Sequence, residues 1–232
     1  MPTPRVLKLG GSLLLLPDWP ERLTAWIQSH PAPLNLLLVG GGQVVDAVRE
    51  LDRQHNFPAP FSHWLCIDLL SATARIASQL LPTFPLIITA DELQRVVRDR
   101  FSGDSVAGED VAEFSGDRGS PPSLRASATY IVDVRCFYQP PALEEPDGAK
   151  NSESIATDCP LPESWETTSD SLAAWLANVV QAAELVLFKS TTPPRNCHTP
   201  QAWVEQSIVD AAFADTLPTT LSVSIVDLLK TR

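Results

Sequence analysis

Val6-Leu7-Lys8-Leu9-Gly10-Gly11-Ser12 and Leu34-Asn35-Leu36-Leu37-Leu38-Val39-Gly40-Gly41-Gly42 decide the architecture of this 232-residue chain. Each is a short apolar run that stops at a glycine cluster, and each is followed by residues at helical spacing. After the first, Asp18 to Ser29 carries Trp19, Leu23, Trp26 and Ile27 on one face, with Asp18 as N-cap and Pro20 in the first turn. After the second, Val44, Val45, Val48 and Leu51 recur with the helical period. The run from Leu34 to Val39 is apolar save Asn35, which suits a strand buried on both faces, as in a parallel sheet. Strand, glycine loop and helix thus occur twice in succession.

The alternation continues outward. Phe61 to Leu81 reads as an apolar-rich helix, Leu86-Ile87-Ile88-Thr89 as a strand, and Asp91 to Arg100 as a helix with Leu93, Val96 and Val97 inward. Tyr130 to Val134 suits a strand. Ser169 is placed as N-cap of a helix with Leu172, Trp175, Leu176 and Val179 on one stripe. Leu185 to Phe188 is a buried strand ending at Lys189, Thr199-Pro200 opens a helical stretch, and Leu221 to Val226 is the last strand. This pattern predicts one α/β domain over residues 1–232, a three-layer αβα sandwich with a mainly parallel open sheet. Residues 102–128, rich in Gly, Ser, Asp and Pro, and 139–163, rich in Pro, Glu and Ser, are predicted long loops or disorder.

Composition narrows the function classes. A hydrophobic content of 44% builds a sizeable core. No stretch of 18 apolar residues occurs, so no membrane-spanning helix is expected. Arg5, Lys8 and Leu13 to Leu16 imitate the start of a signal peptide, but the run ends at Pro17-Asp18 with no small-residue cleavage site, and a cytoplasmic location is expected. Cys66, Cys136, Cys159 and Cys197 are widely spaced, which predicts reduced thiols. His63-x-x-Cys66 and Cys197-His198 are too poorly spaced for zinc, and no metal site is expected. A net charge of −11 argues against nucleic acid as a partner. Much of that charge is local, a net −7 between Leu143 and Asp170. An anionic substrate must therefore be met by a few placed cations.

A glycine loop between strand and helix suits phosphate. Glycine lets the backbone approach an anion, and the N–H groups of a helix N-terminus point at it. Neither GxxxxGK[ST] nor GxGxxG is present. Two such loops, with Lys8 just before the first, favour a phosphate site over a plain turn. Trp26, Trp64 and Trp175 lie on apolar helix faces and are expected in the core.

Val6 to Ser12, then Leu38 to Gly42 leading into a helix, then Thr168-Ser169-Asp170-Ser171 before Leu185-Val186-Leu187, resembles the amino acid kinase family. That family includes acetylglutamate, aspartate and uridylate kinases. The chain is most similar to a small branch, the aminomethylfuran methyl-phosphate kinase of methanofuran biosynthesis. Ser62-His63, Leu161-Pro162-Glu163-Ser164-Trp165, Thr167-Thr168-Ser169-Asp170-Ser171 and Phe188-Lys189-Ser190 carry that likeness in order. It covers roughly residues 5–100 and 160–232.

The resemblance implies a role for each matching position. Lys8 would contact the donor and transferred phosphates, Gly10, Gly11 and Ser12 would hold the moving phosphoryl group, and Gly40, Gly41 and Gly42 would hold the acceptor. His63 and Asp68 would face the acceptor if their helix follows the second loop. Asp170 would orient the active-site lysine, and Lys189 and Ser190 would lie near the nucleotide. ATP and Mg²⁺ are the cofactors implied, a small phosphate or carboxylate the substrate, and a homo-oligomer the assembly. Such an acceptor oxygen is already ionised, so charge neutralisation and positioning supply the catalysis without a general base.

One departure is specific. Many family members have a glycine-rich segment after the nucleotide-binding strand and a second catalytic lysine on the next helix. Here no glycine follows Gly148, and the lysines after Asp170 are Lys189 and Lys230. Lys189 is the substitute the sequence offers. Three functions stay open: ATP-dependent phosphotransfer to a small anion, such as the phosphate monoester aminomethylfuran methyl phosphate; a degenerate kinase fold serving as a ligand-binding or regulatory subunit; or a structural partner docking through residues 102–128 or 139–163.

Overall fold

The computed structural model describes residues 3–101, 127–140, 161–194 and 197–231. Most of 102–128 and 139–163 lies outside the described residues. One six-stranded sheet comprises β1 (Arg5–Leu9), β2 (Leu34–Val39), β3 (Leu86–Ile87), β4 (Ala128–Val132), β5 (Glu184–Lys189) and β6 (Ser222–Asp227), in the order β3-β4-β2-β1-β5-β6. Every strand pair is parallel. The helices are α1 (Trp19–Ser29), α2 (Gly42–His55), α3 (Ala59–Leu80), α4 (Ala90–Phe101), α5 (Ser169–Val179), α6 (Pro200–Glu205) and α7 (Phe213–Thr216). No described helix is long and apolar enough to cross a membrane.

Side-chain alternation assigns the two faces of the sheet. Leu7, Leu9, Leu37, Val39, Val186 and Phe188 pack with Trp19, Leu23 and Trp26 of α1. Val6, Leu36, Leu38, Leu185 and Leu187 face the other way, onto Leu172, Ala173 and Leu176 of α5. Each fully buried Val or Leu contributes about 1.5–3 kcal/mol over its exposed state, so both faces hold the sheet. Helix α3 serves both layers, with Ile67 and Leu70 in one core and Ala74 and Ala77 in the other. The expected three-layer αβα sandwich is the observed architecture, with its sheet wholly parallel.

Local differences from the sequence reading have physical causes. The predicted strand Tyr130–Val134 is Ala128–Val132, because the Asp133 side chain accepts from Arg135 N and starts a 3₁₀ turn at Val134. The strand predicted to reach Thr89 stops at Ile87, since Thr89 Oγ1 accepts from Glu92 N at the start of α4. Asp18 makes no cap hydrogen bond and instead pairs with Arg22 at 2.8 Å. Of the α2 residues expected inward, Val48 is buried, while Val44 and Leu51 are exposed. The α2 stripe facing the protein is Gly42, Val45, Asp46 and Arg49, and it borders a cavity rather than the core. Trp26 is buried as expected, whereas Trp64 and Trp175 are half-buried.

Candidate functional site

From β1 the chain passes to β2, then to β3 at one edge and back to β4 between them, before crossing to place β5 on the other side of β1. The carboxyl ends of β1, β2 and β5 are thus a topological switch point, where open parallel sheets bind ligands. Parity then brings the charges together. Lys8 follows Val6 on one face of β1, and Lys189 follows Leu185 and Leu187 on the same face of β5. Both point at the N-terminus of α5.

Asp170 stands there between them. Lys8 Nζ lies 2.8 Å from Asp170 Oδ1, and Lys189 Nζ donates to Oδ2 at 2.7 Å and to the Ile208 carbonyl at 2.8 Å. Burial alone would push the Asp170 carboxyl up, but Lys8 and Lys189 overcome it and hold the pKa below the ordinary value. Burial, reinforced by the Lys8 charge, pulls the Lys189 ammonium down to about 8 against the attraction of Asp170. Two cations and one anion leave the cluster a net positive charge in a nearly dry place, which suits phosphate.

Asp210, which sequence reasoning missed, fixes the α5 N-terminus. Its Oδ2 accepts from Thr168 N at 3.0 Å, Thr168 Oγ1 at 2.6 Å and Ser171 N at 3.1 Å, and its Oδ1 accepts from Ser171 Oγ. Thr168 rather than Ser169 holds the cap position, and a carboxylate some 40 residues on does the capping. That carboxylate already satisfies the positive end of α5. An incoming anion must look to the other helix ends.

Those ends are the two glycine loops. Gly11 opens a 3₁₀ turn over Gly11–Leu15 and Gly42 opens α2, with no acidic side chain in either first turn. Their first amides have no intrahelical acceptor. The loops interlock: a Cβ on Gly11 would lie 2.0 Å from Gly42 N, and one on Gly42, at φ +54°, would lie 2.4 Å from Gly11 O. Gly10 and Gly40 sit behind, where a Cβ would meet Phe188 O and Gly11 N at 2.8 Å. Ser12 and Ser190 join the β1 and β5 loops through their hydroxyls at 3.2 Å.

A cavity of about 220 Å³ opens from Gly11, Ser12, Gly41 and Gly42. Two helix stripes wall it, Gly42, Val45, Asp46 and Arg49 from α2 and His63, Cys66, Ile67 and Leu70 from α3. Ser164, Trp165 and Thr167 close the third side. His63 reaches this wall, but both its ring nitrogens have protein neighbours, Nε2 at 2.8 Å from the Tyr138 hydroxyl and Nδ1 at 3.4 Å from the Ser164 carbonyl. Burial holds its pKa below the ordinary value, although Ser164 and Glu163 oppose this. Asp68 does not join the cavity. Five residues beyond His63 it lies about 140° around the helix, where it is 63% exposed and pairs with Arg135. Its expected role facing the acceptor is corrected accordingly.

Cys66 is driven up to about 11 by burial, so it is a thiol at neutral pH. Among the described residues no three His, Cys, Asp or Glu side chains form a metal-binding group. Asp170 is held by two lysines, so a Mg²⁺ ion would rest mainly on nucleotide phosphates, its usual mode. The free amides and the two lysines fit those phosphates.

No protein-family model matches the sequence, and no curated protein matches it significantly. Solved structures do match in three dimensions. The uridylate kinase of Archaeoglobus fulgidus aligns over 96% of this chain and 89% of its own, at 14% identity and a TM-score of 0.52. The UMP kinase of Ureaplasma parvum aligns over 100% and 92%, at 9% identity and 0.59. The UMP kinase of Bacillus anthracis aligns over 99% and 89%, at 10% identity and 0.56. Likeness at this level of identity speaks for architecture, and the architecture is the α/β fold of the uridylate kinases, that of the amino acid kinase family.

Proposed function

We propose that the chain is an ATP-dependent phosphotransferase acting on a small anionic acceptor, a phosphate monoester or carboxylate, with aminomethylfuran methyl phosphate the acceptor its branch resemblance favours. The observation that carries this reading is the Lys8–Asp170–Lys189 cluster set beside the paired glycine loops. ATP with Mg²⁺, when bound, supplies the phosphoryl group and neutralises part of its charge.

The chain's own residues do the rest. Asp170 holds both lysines in place, so little reorganisation is needed as charge develops on the transferred group. Lys8 and the Gly11 and Ser12 amides would meet that group, and the Gly41–Gly42 end of α2 would meet the acceptor oxygen. Lys189, with Ser190 next to it, takes the role of the missing second lysine on the nucleotide side. No base is needed, because the acceptor oxygen is ionised.

ADP release measured with a panel of phosphate monoesters, UMP among them, tests the reading. Lys8→Ala is expected to lower turnover about 10²–10³-fold, and equal turnover by wild type and Lys8→Ala would sink it. The second reading, a binding subunit without phosphotransfer, draws on the absence of glycine after Gly148. Calorimetric ATP–Mg²⁺ binding without turnover of any acceptor would favour it. A cytoplasmic setting and a homo-oligomer belong to the first reading, and sedimentation equilibrium tests the latter.

A further inference from the structure

Arg49 is the cation of the cavity, and the phosphotransfer reading gives it no task. It follows Gly42 by seven positions on α2, so it lies two turns along the same stripe that begins at the anion-binding loop. A helical side chain leans toward the N-terminus of its helix, which carries the Arg49 guanidinium back over Val45 and Asp46 toward Gly42. It is the one cationic side chain among the described residues lining the cavity, in a chain of net charge −11. His63, the other basic side chain there, has its nitrogens beside Tyr138 and Ser164.

The guanidinium is also held in place before any ligand arrives. Its carbon lies 4.8 Å from the centroid of the Trp165 ring, and its Nη1 donates to Asp46 Oδ1 at 2.8 Å. Trp165 is fixed in turn by its indole N–H, which donates to Asp52 Oδ2 one α2 turn further on. A guanidinium stacked on one face and paired at one nitrogen keeps further donors for an oxyanion. Between Arg49 and the glycine loops the walls are Val45, Ile67, Leu70 and Leu172, which offer an apolar lining.

We propose that Arg49 is the specificity-determining cation of the acceptor pocket, reading the anionic group of an acceptor whose remaining body is apolar. The proposal rests on assigning this cavity to the acceptor, but its test needs no nucleotide. Phenyl phosphate is the probe and benzyl alcohol its uncharged counterpart. Binding to the full chain is measured by calorimetry, and hydrogen exchange of the α2 amides from Val45 to Arg49, on the wall of the same cavity, is mapped by peptide mass.

Phenyl phosphate is expected to slow exchange along this stretch of α2 in the wild type, with its Kd raised tenfold or more in Arg49→Gln and by less in Arg49→Lys. Benzyl alcohol is expected to bind all three alike. An unchanged phenyl phosphate Kd in Arg49→Gln overturns the proposal, as does a wild type in which phenyl phosphate leaves exchange along α2 unchanged. Equal loss of benzyl alcohol binding in Arg49→Gln would also overturn it, by showing that the cavity had collapsed. Arg49-dependent binding without turnover would sink phosphotransfer and leave this inference standing. Turnover with an acceptor KM indifferent to Arg49→Gln would do the reverse.

Discussion

At the sheet end of the site, Lys8, Asp170 and Lys189 have side chains 4%, 6% and 15% exposed, whereas at the helix end Arg49 and Asp46 are 40% and 62% exposed. Both are ion pairs near 2.8 Å, yet they are different devices. An exposed pair contributes about 0–1 kcal/mol and lets go of its partner easily. A buried cluster gives strong, fixed charge, and removing one member strands the others at a cost of about 3–5 kcal/mol. Two parallel strands and a helix N-terminus hold the charges that must not move, and a helix surface carries the cation with donors left over for a ligand.

Removing the anion from the buried end strains that contrast most. Asp170→Asn is expected to lower turnover about 10²–10³-fold and stability by about 3–5 kcal/mol, read from ADP release and urea unfolding. Unfolding at the wild-type urea midpoint would put the buried cluster in the same class as the exposed pair.

The next effect is on pH. Lys189 is charged below about 8 and neutral above it. If its charge serves transfer, kcat falls as pH rises through about 8, and Lys189→Arg removes that fall because guanidinium does not titrate there. Stability runs the other way: between about 8 and the ordinary value of 10.5, the unfolded chain binds the proton that the folded one has released. This group therefore adds stability as pH rises through that window. A kcat flat from pH 7 to 9 would remove Lys189 from the chemistry.

Asp210→Ala is expected to cost about 1–2 kcal/mol as a lost cap, lowering Tm by about 2–4 °C for each kcal/mol. Its effect on turnover should be smaller than that of Asp170→Asn, because it makes no hydrogen bond to either lysine and reaches Lys189 only through its charge. The smallest effect belongs to Asp68→Asn. Its exposed pair with Arg135 is worth about 0.5 kcal/mol or less, and the acceptor KM should not move. A raised KM would place Asp68 in the cavity after all.

The sheet end was largely legible in the sequence. A period of two carries Val6 and Lys8 to one face of β1, and Leu185, Leu187 and Lys189 to the same face of β5, with Asp170 opening the helix between. The helix end was not. Val44, Val45, Val48 and Leu51 suggest an inward stripe, but the helix turns Val45, Asp46 and Arg49 to a cavity that periodicity cannot distinguish from core. Asp210 caps from 39 residues beyond Ser171, and Asp52 meets Trp165 across 113. No local spacing announces such pairs. Asp68 misled for a simpler reason, since proximity to His63 in sequence counts for little when the helix turns it away.

The interlocked glycines have a genetic consequence. What a methyl at position 11 meets is the backbone of Gly42, and what one at 42 meets is the backbone of Gly11. Side-chain changes elsewhere cannot move those atoms aside. A saturation library should show both positions intolerant even of alanine, with no second-site suppressor among side-chain substitutions, and with rescue confined to insertions or deletions that reset the two loops together.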